Sequence, residues 1–205
     1  MVARPPVRLT VEPMRLPDLP IVHDIERRSF TTPWPSHAYR TELETNRLAH
    51  YRVVRVDGRV VAYAGLWLMV DEAHVTTFAV DPAWRRRRIG ETLLLAMVEL
   101  AIERGAREAT LEVRLSNLPA RRLYEKYGFK PVGIRPRYYS DDNEDALIMT
   151  TDPLREQPML ARLAALRTAL AALPAPEPPD EDDIASDDQS TGIEGPPAEP
   201  GPGPR

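Results

Sequence analysis

Apolar residues recur along this chain with two periods, and the switch between them predicts its elements. From Ile89 to Arg104, Ile89, Leu93, Leu94, Met97, Val98 and Ala101 fall three and four apart, which predicts one helix face ending at Gly105. Val75–Val80 before it reads as a strand stopped by Asp81-Pro82, because proline lacks an N–H for the ladder and restrains the residue before it. Upstream, Leu9–Pro13 predicts a first strand, and Pro17–Leu19 opens a helix carrying Leu19, Ile21, Val22, Ile25 and Phe30. Thr31-Thr32-Pro33-Trp34-Pro35 breaks it, and Ala38, Tyr39 and Leu43 stripe a second helix from about Ser36 to Glu44. His50–Val56 and Arg59–Val70 predict two strands around Asp57-Gly58, a hairpin turn whose two residues both need positive φ. Downstream come a strand over Ala109–Val113, a helix from Leu118, and a closing hairpin of Phe129–Arg137 and Asp145–Thr150. The order β-α-α-β-β-β-α-β-α-β-β predicts an α/β (α+β) domain with a mixed central sheet.

Two segments lie beyond that order. Leu154–Leu173 predicts a further helix with Met159, Leu160, Leu163, Leu166, Leu170 and Leu173 on one face, packed either on its own domain or on a second copy or partner. Residues 174–205 hold nine prolines and nine acidic residues with hardly any large apolar side chain, so they cannot bury enough surface to offset their ordering entropy. The expected organisation is a domain over residues 1–152, an accessory helix over 153–173 and a disordered acidic, proline-rich tail over 174–205.

Composition narrows the chemistry. The chain has no cysteine, which excludes disulfides, thiolate metal sites and an acyl-cysteine route, and fits a reducing compartment. Its longest apolar run, Val60–Val70, is eleven residues, short of the roughly 20 needed to cross a bilayer. MVARPPVRL offers no apolar signal core, so a cytoplasmic protein without membrane contact is expected. Net charge is −4, but the tail carries nine acids against one base, leaving residues 1–173 mildly basic at +4. That balance suits an anionic ligand. His23, His37, His50 and His74 have no short metal-ligand spacing, and no metal is expected.

Arg85 to Arg88 stand between the Val75–Val80 strand and the Ile89 helix. A helix N-terminus presents backbone N–H groups and a positive dipole end, so this turn reads as an anion site with added cationic charge. Without interleaved aromatics or a recognised module, direct nucleic-acid binding is not expected from it. Glu112 alternates with Leu111 and Val113 and reads by itself as the wet side of an edge strand. Asn117 reads as an N-cap before Leu118-Pro119, and Tyr124 as a core ring with its hydroxyl at the edge. Thr31–Trp34 reads as a helix-ending turn and Tyr138-Tyr139 as hairpin packing.

Arg85-Arg86-Arg87-Arg88-Ile89-Gly90 after Val80-Asp81-Pro82 resembles the pyrophosphate loop, Gln/Arg-x-x-Gly-x-Gly/Ala, of the GCN5-related N-acetyltransferase (GNAT) superfamily. Leu111-Glu112-Val113-Arg114, Ser116-Asn117, Leu123-Tyr124-Glu125 and Tyr127-Gly128-Phe129 look like the bacterial ribosomal-protein-alanine N-acetyltransferases within it. The resemblance covers residues 8 to 152 and implies an acetyl-CoA-dependent N-acetyltransferase. By it, the backbone of Phe78, Ala79 and Val80 meets the pantetheine arm, Arg86, Arg87, Arg88, Ile89, Gly90 and Glu91 cradle the pyrophosphate, and Asn117 also contacts the coenzyme. Glu112 would be the general base and Tyr124 the general acid, while Thr32, Pro33, Trp34, Tyr138 and Tyr139 would flank the acceptor. The implied acceptor is the N-terminal alanine, or another small residue, of a small-subunit ribosomal protein, with the enzyme a monomer or weak dimer. A small-molecule amine acceptor, or a non-catalytic acyl-CoA or partner-binding module, is the competing reading. The chain departs from the pattern at Arg88, where the superfamily has glycine. Arginine there is expected to hold a non-positive φ with the loop still aimed at phosphate.

Overall fold

A computed structural model describes residues 7–179. Its elements follow the predicted order: β1 (Leu9–Pro13), α1 (Leu19–Ser29), α2 (Ala38–Thr45), β2 (Ala49–Val56), β3 (Arg59–Met69), β4 (Glu72–Val80), α3 (Ile89–Glu103), β5 (Glu108–Arg114), α4 (Leu118–Lys126), β6 (Phe129–Arg135), β7 (Ala146–Thr151) and α5 (Gln157–Ala171). The seven strands form one sheet in the order β1-β2-β3-β4-β5-β7-β6. The β2–β3 turn carries positive φ at Asp57 (49°) and Gly58 (85°), as its sequence requires.

Alternation along the strands divides the interior between two faces. One face packs Val54, Val61, Ala64, Phe78, Leu111 and Val113 under α3 and α4, with Leu93, Leu94, Met97 and Val98 of α3 all at 2% exposure or less. The other packs Val53, Val60, Tyr63 and Ala79 against Leu19, Val22 and Ile25 of α1 and Tyr39 of α2. Gly65 is required on this second face, because a Cβ there would meet the Tyr51 ring at 2.3 Å.

The sheet is antiparallel except where β4 meets β5. That parallel pairing runs only through Glu72↔Glu108, Ala73↔Ala109 and His74↔Thr110. Beyond it β4 continues to Val80 paired with β3, and β5 continues to Arg114 paired with β7. The two central strands therefore part in the middle of the sheet. β5 is interior rather than an edge, because β7 enters between β5 and β6.

The C-terminal helix packs on its own domain. Met159 and Leu163 of α5 are buried at 2%, Arg167 bonds Glu99 of α3 at 2.8 Å, and Arg155 donates to the Ile102 carbonyl at 2.9 Å. Of the tail expected to be disordered, residues 174–179 have no regular structure and residues 180–205 lie outside the described range.

Candidate active site

β4 ends in a turn fixed by a buried carboxylate. Asp81, with 0% exposure, accepts the Ala83 N–H at 3.1 Å and caps a single 3-10 turn over Pro82–Trp84. Arg28 of α1 donates to its two oxygens at 2.7 and 3.2 Å. The arginines follow: Arg85 is extended, while Arg86 (φ 58°) and Arg88 (φ 61°) are left-handed. This corrects the expectation for Arg88, which takes the positive φ that the glycine of the motif would take, at a cost of roughly 1 kcal/mol. The backbone geometry is thus kept without the residue that favours it. The Arg88 carbonyl begins α3 by accepting the Thr92 N–H at 3.0 Å, and its side chain reaches Glu91 at 3.4 Å. The first N–H groups of α3 have no intrahelical acceptor and lie at this turn.

A groove of about 380 Å³ runs from Val80 past Arg86, Arg88, Gly90 and Glu91 to Ala120 and Leu123 of α4. Five residues expected at the coenzyme thus line one cleft. The side chains of Phe78, Ala79 and Ile89 are buried at 1%, so these three offer backbone only, and Arg87 is half-buried on the loop outside the lining. Asn117 caps α4 by accepting the Ala120 N–H at 3.2 Å.

Tyr124, 1% exposed, sets its ring against Phe78 (centroids 6.3 Å apart) and Phe129 (5.6 Å). Burial, aided by nearby Tyr139, pushes its hydroxyl well above the usual tyrosine range, so the proton stays on oxygen.

Glu112 stands on the opposite face of β5 from Leu111 and Val113, just past the point where β4 and β5 stop pairing. It is 8% exposed rather than wet, because its strand is interior. Its Oε2 lies 2.6 Å from His74 Nε2, and its Oε1 lies 3.2 Å from the Arg135 guanidinium. Burial raises its pKa, but His74 and Arg135 outweigh burial and hold it below the usual carboxylate value.

The two loops that carry the residues expected at the acceptor are tied to each other. Thr31 Oγ1 donates to Asp141 Oδ2 at 2.6 Å, tying the α1–α2 loop, with exposed Thr32 and Pro33, to the β6–β7 loop that carries Tyr138 and Tyr139. Arg114, two residues beyond Glu112, grips Asp141 and Asp142 at 2.7 and 2.9 Å and lies 4.0 Å over the Tyr139 ring. Arg135 lies 5.2 Å over Tyr138. Trp34 stacks on Tyr39 at 5.2 Å, and its N–H donates to Glu26 Oε1 at 3.0 Å. Glu26 is 2% exposed and also accepts from the hydroxyls of Tyr39 (2.5 Å) and Tyr63.

His74, Arg135, Arg114 and Glu26 were not expected at the site. His74 reaches Glu112 through a strand register that no local pattern encodes. Glu26 was legible, since with Val22, Ile25 and Ser29 it falls inside the buried stripe of α1. Among the described residues, no group of three or more His, Asp or Glu is placed to hold a metal ion, and no helix is long and apolar enough to cross a membrane.

Residues 19–129 match the acetyltransferase (GNAT) family. A Bacillus subtilis (strain 168) protein provisionally named as a ribosomal protein bS18-alanine N-acetyltransferase is 46% identical over 142 residues, 69% of this chain and 94% of that protein. The Escherichia coli (strain K12) ribosomal protein bS18-alanine N-acetyltransferase is 34% identical over 142 residues, 68% of this chain and 95% of the relative. The crystal structure of the Escherichia coli ribosomal-protein-S18-alanine N-acetyltransferase superposes with a TM-score of 0.65, at 32% identity over 70% of this chain and 93% of that one. The fold is shared with a Thermoplasma acidophilum PaiA N-acetyltransferase solved in complex with coenzyme A, with a TM-score of 0.60 and 18% identity over 71% of this chain and 99% of that one.

Proposed function

This chain belongs to the acetyltransferase (GNAT) family and is an N-acetyltransferase, and from that premise we propose that it moves the acetyl group of acetyl-CoA directly onto the α-amino group of a protein N-terminus. The acceptor best supported is the N-terminal alanine of a small-subunit ribosomal protein, since relatives spanned over more than nine-tenths of their length carry that substrate in their names. A ribosomal-protein acceptor puts the reaction in the cytoplasm.

One observation carries the reading: a buried carboxylate, Glu112, stands where β4 and β5 part, two residues before the Arg114 that grips Asp141 of the β6–β7 loop. The groove fits the donor, because a helix N-terminus with Arg86 and Arg88 suits a pyrophosphate. Acetyl-CoA supplies an activated acyl group and a thiol leaving group. The chain supplies the rest. An α-amine has a pKa of about 8 and is already partly neutral at pH 7, so Glu112, directly or through a water, has only one proton to take. The backbone of Phe78–Val80, free of β5 on that side, offers N–H donors for the carbonyl oxygen. Tyr124, protonated in the resting site, hydrogen-bonds the departing sulfur as charge develops and, as general acid, gives it the proton that makes the free thiol.

Thiol release is the test, with acetyl-CoA and either an alanine-starting peptide or small amines. Turnover on peptide alone supports the proposal. Turnover on small amines alone replaces the acceptor class, and coenzyme binding without turnover on either overturns it.

A further inference from the structure

The arginine-lined groove has a second anion source, and it belongs to the chain itself. Asp180, Glu181, Asp182 and Asp183 form one uninterrupted acidic run, and the residues after them add Asp187, Asp188, Glu194 and Glu199 against a single base, Arg205. The groove has the opposite sign. Arg85, Arg86 and Arg88 line it, and Glu91, the acidic residue in its lining, is already paired with Lys126 and Arg88. The helix before the tail lies close by. Arg162 of α5 donates to the Glu125 and Lys126 carbonyls at 3.3 and 3.4 Å, and the Lys126 ammonium pairs with Glu91, so a single residue separates α5 from the rim of the groove. Contacts along α5 also move toward the start of α3, from Arg155 at the Ile102 carbonyl to Arg167 at Glu99. From Glu99 back to Ile89 is about 15 Å of helix. The spacer can cover that, since Pro174-Ala175-Pro176-Glu177-Pro178-Pro179 spans about 19 Å at polyproline extension. Pro176, Pro178 and Pro179 are half-buried, so the chain leaving α5 is partly covered rather than fully solvated.

We propose that the acidic run of residues 180–183 docks in cis on the Arg85 to Arg88 turn and competes there with the coenzyme pyrophosphate, so that the tail sets the affinity of the donor groove. Carboxylates and a pyrophosphate seek the same partners, guanidinium groups and the N–H donors of a helix start. Proline fixes φ in the spacer, which lowers the entropy lost when its far end is held, and a tethered segment acts at an effective concentration of about millimolar. Exposed carboxylate–arginine pairs are individually weak, so the run competes without closing the groove. The competition rests on the reading of the groove as the coenzyme site; the docking of the tail does not.

The test is isothermal titration of acetyl-CoA and, in parallel, of inorganic pyrophosphate into the full chain and into the full chain carrying Asp180→Asn, Glu181→Gln, Asp182→Asn and Asp183→Asn. Neutralising the run should tighten both ligands by the same factor, about threefold to tenfold at low salt, and the gain should fall below about twofold near 0.5 M salt, where screening acts over only a few ångströms. Neutralising Asp187, Asp188, Glu194 and Glu199 instead should change either affinity by less than about twofold, because these acids are spread among uncharged residues. An equal gain from that second set would mean a general field and overturn the docking. A gain that grows with protein concentration would assign the tail to a second copy and overturn the contact in cis. If pyrophosphate tightens but acetyl-CoA binds neither chain, the coenzyme reading fails and the docking stands. If acetyl-CoA binds both chains equally, the inference fails and the coenzyme reading stands.

Discussion

Thr31 and Asp141, 110 residues apart in sequence, share a 2.6 Å hydrogen bond that closes the α1–α2 loop onto the β6–β7 loop. Asp141 is held from behind by Arg114, so Thr31 binds a fixed partner and adds little to global stability. Thr31→Val should therefore raise the peptide KM about threefold to tenfold with acetyl-CoA affinity unchanged, as expected when one hydrogen bond orders a binding loop. Equal loss toward both substrates would show that the bond supports the fold and not the acceptor mouth.

Glu112→Gln should lower kcat by about 10² or more while leaving acetyl-CoA binding almost unaltered, the range typical for loss of a general base. Steady-state rates with isothermal titration of the coenzyme measure both. A rate within twofold of the parent would remove Glu112 from the chemistry.

Tyr124→Phe keeps the ring that packs between Phe78 and Phe129, so its melting temperature should hold while its turnover falls. Unchanged turnover would leave Tyr124 as core packing only.

Glu26 links the geometry of the α1–α2 loop to pH. Burial, opposed by the Trp34 N–H and the Tyr39 hydroxyl, raises its pKa to about 7. The folded state therefore binds a proton that the unfolded state releases at an ordinary carboxylate pKa of about 4.3. Stability from this group is fully present below that lower value and is lost as pH rises through about 7, a change on the order of a few kcal/mol. Glu26→Gln removes the titration. Its melting temperature relative to the parent should climb between about pH 5 and 8, and a constant difference would contradict the raised pKa.

Arg88→Gly relieves the left-handed strain, worth about 1 kcal/mol, and loses a similar amount in chain entropy, so stability should rise slightly or hold. The side chain is 54% exposed and neighbouring arginines remain, so acetyl-CoA affinity should change by less than about tenfold. Destabilisation beyond about 1 kcal/mol would mean that the Arg88 side chain, through Glu91, holds the turn.

What the sequence made legible follows the range of the forces involved. Ile89, Leu93, Met97 and Val98 announce α3 because helix periodicity is local, and Asp57-Gly58 announces its turn because two positive φ values leave few residue choices. Glu112 could be picked out only through a resemblance. Its burial comes from β7 entering between β5 and β6, a pairing across more than thirty residues that alternation along β5 does not record. The bond between His74 and Glu112 was illegible for the same reason. Arg88 misled through a general rule: side chains avoid positive φ, yet here the turn needed by α3 imposes that conformation on an arginine.

The tie between Arg28 and Asp81 bears on how far this domain can be cut into exchangeable parts. The turn that opens the arginine-lined groove is anchored by a guanidinium from the first helix, and the same helix, through Glu26, holds Trp34 of the α1–α2 loop. A graft of Asp81–Gly90 into a relative lacking that cation would leave the buried carboxylate with only the more distant Arg59 counterpart, if that is present, so a chimera should carry Arg28 along with the turn.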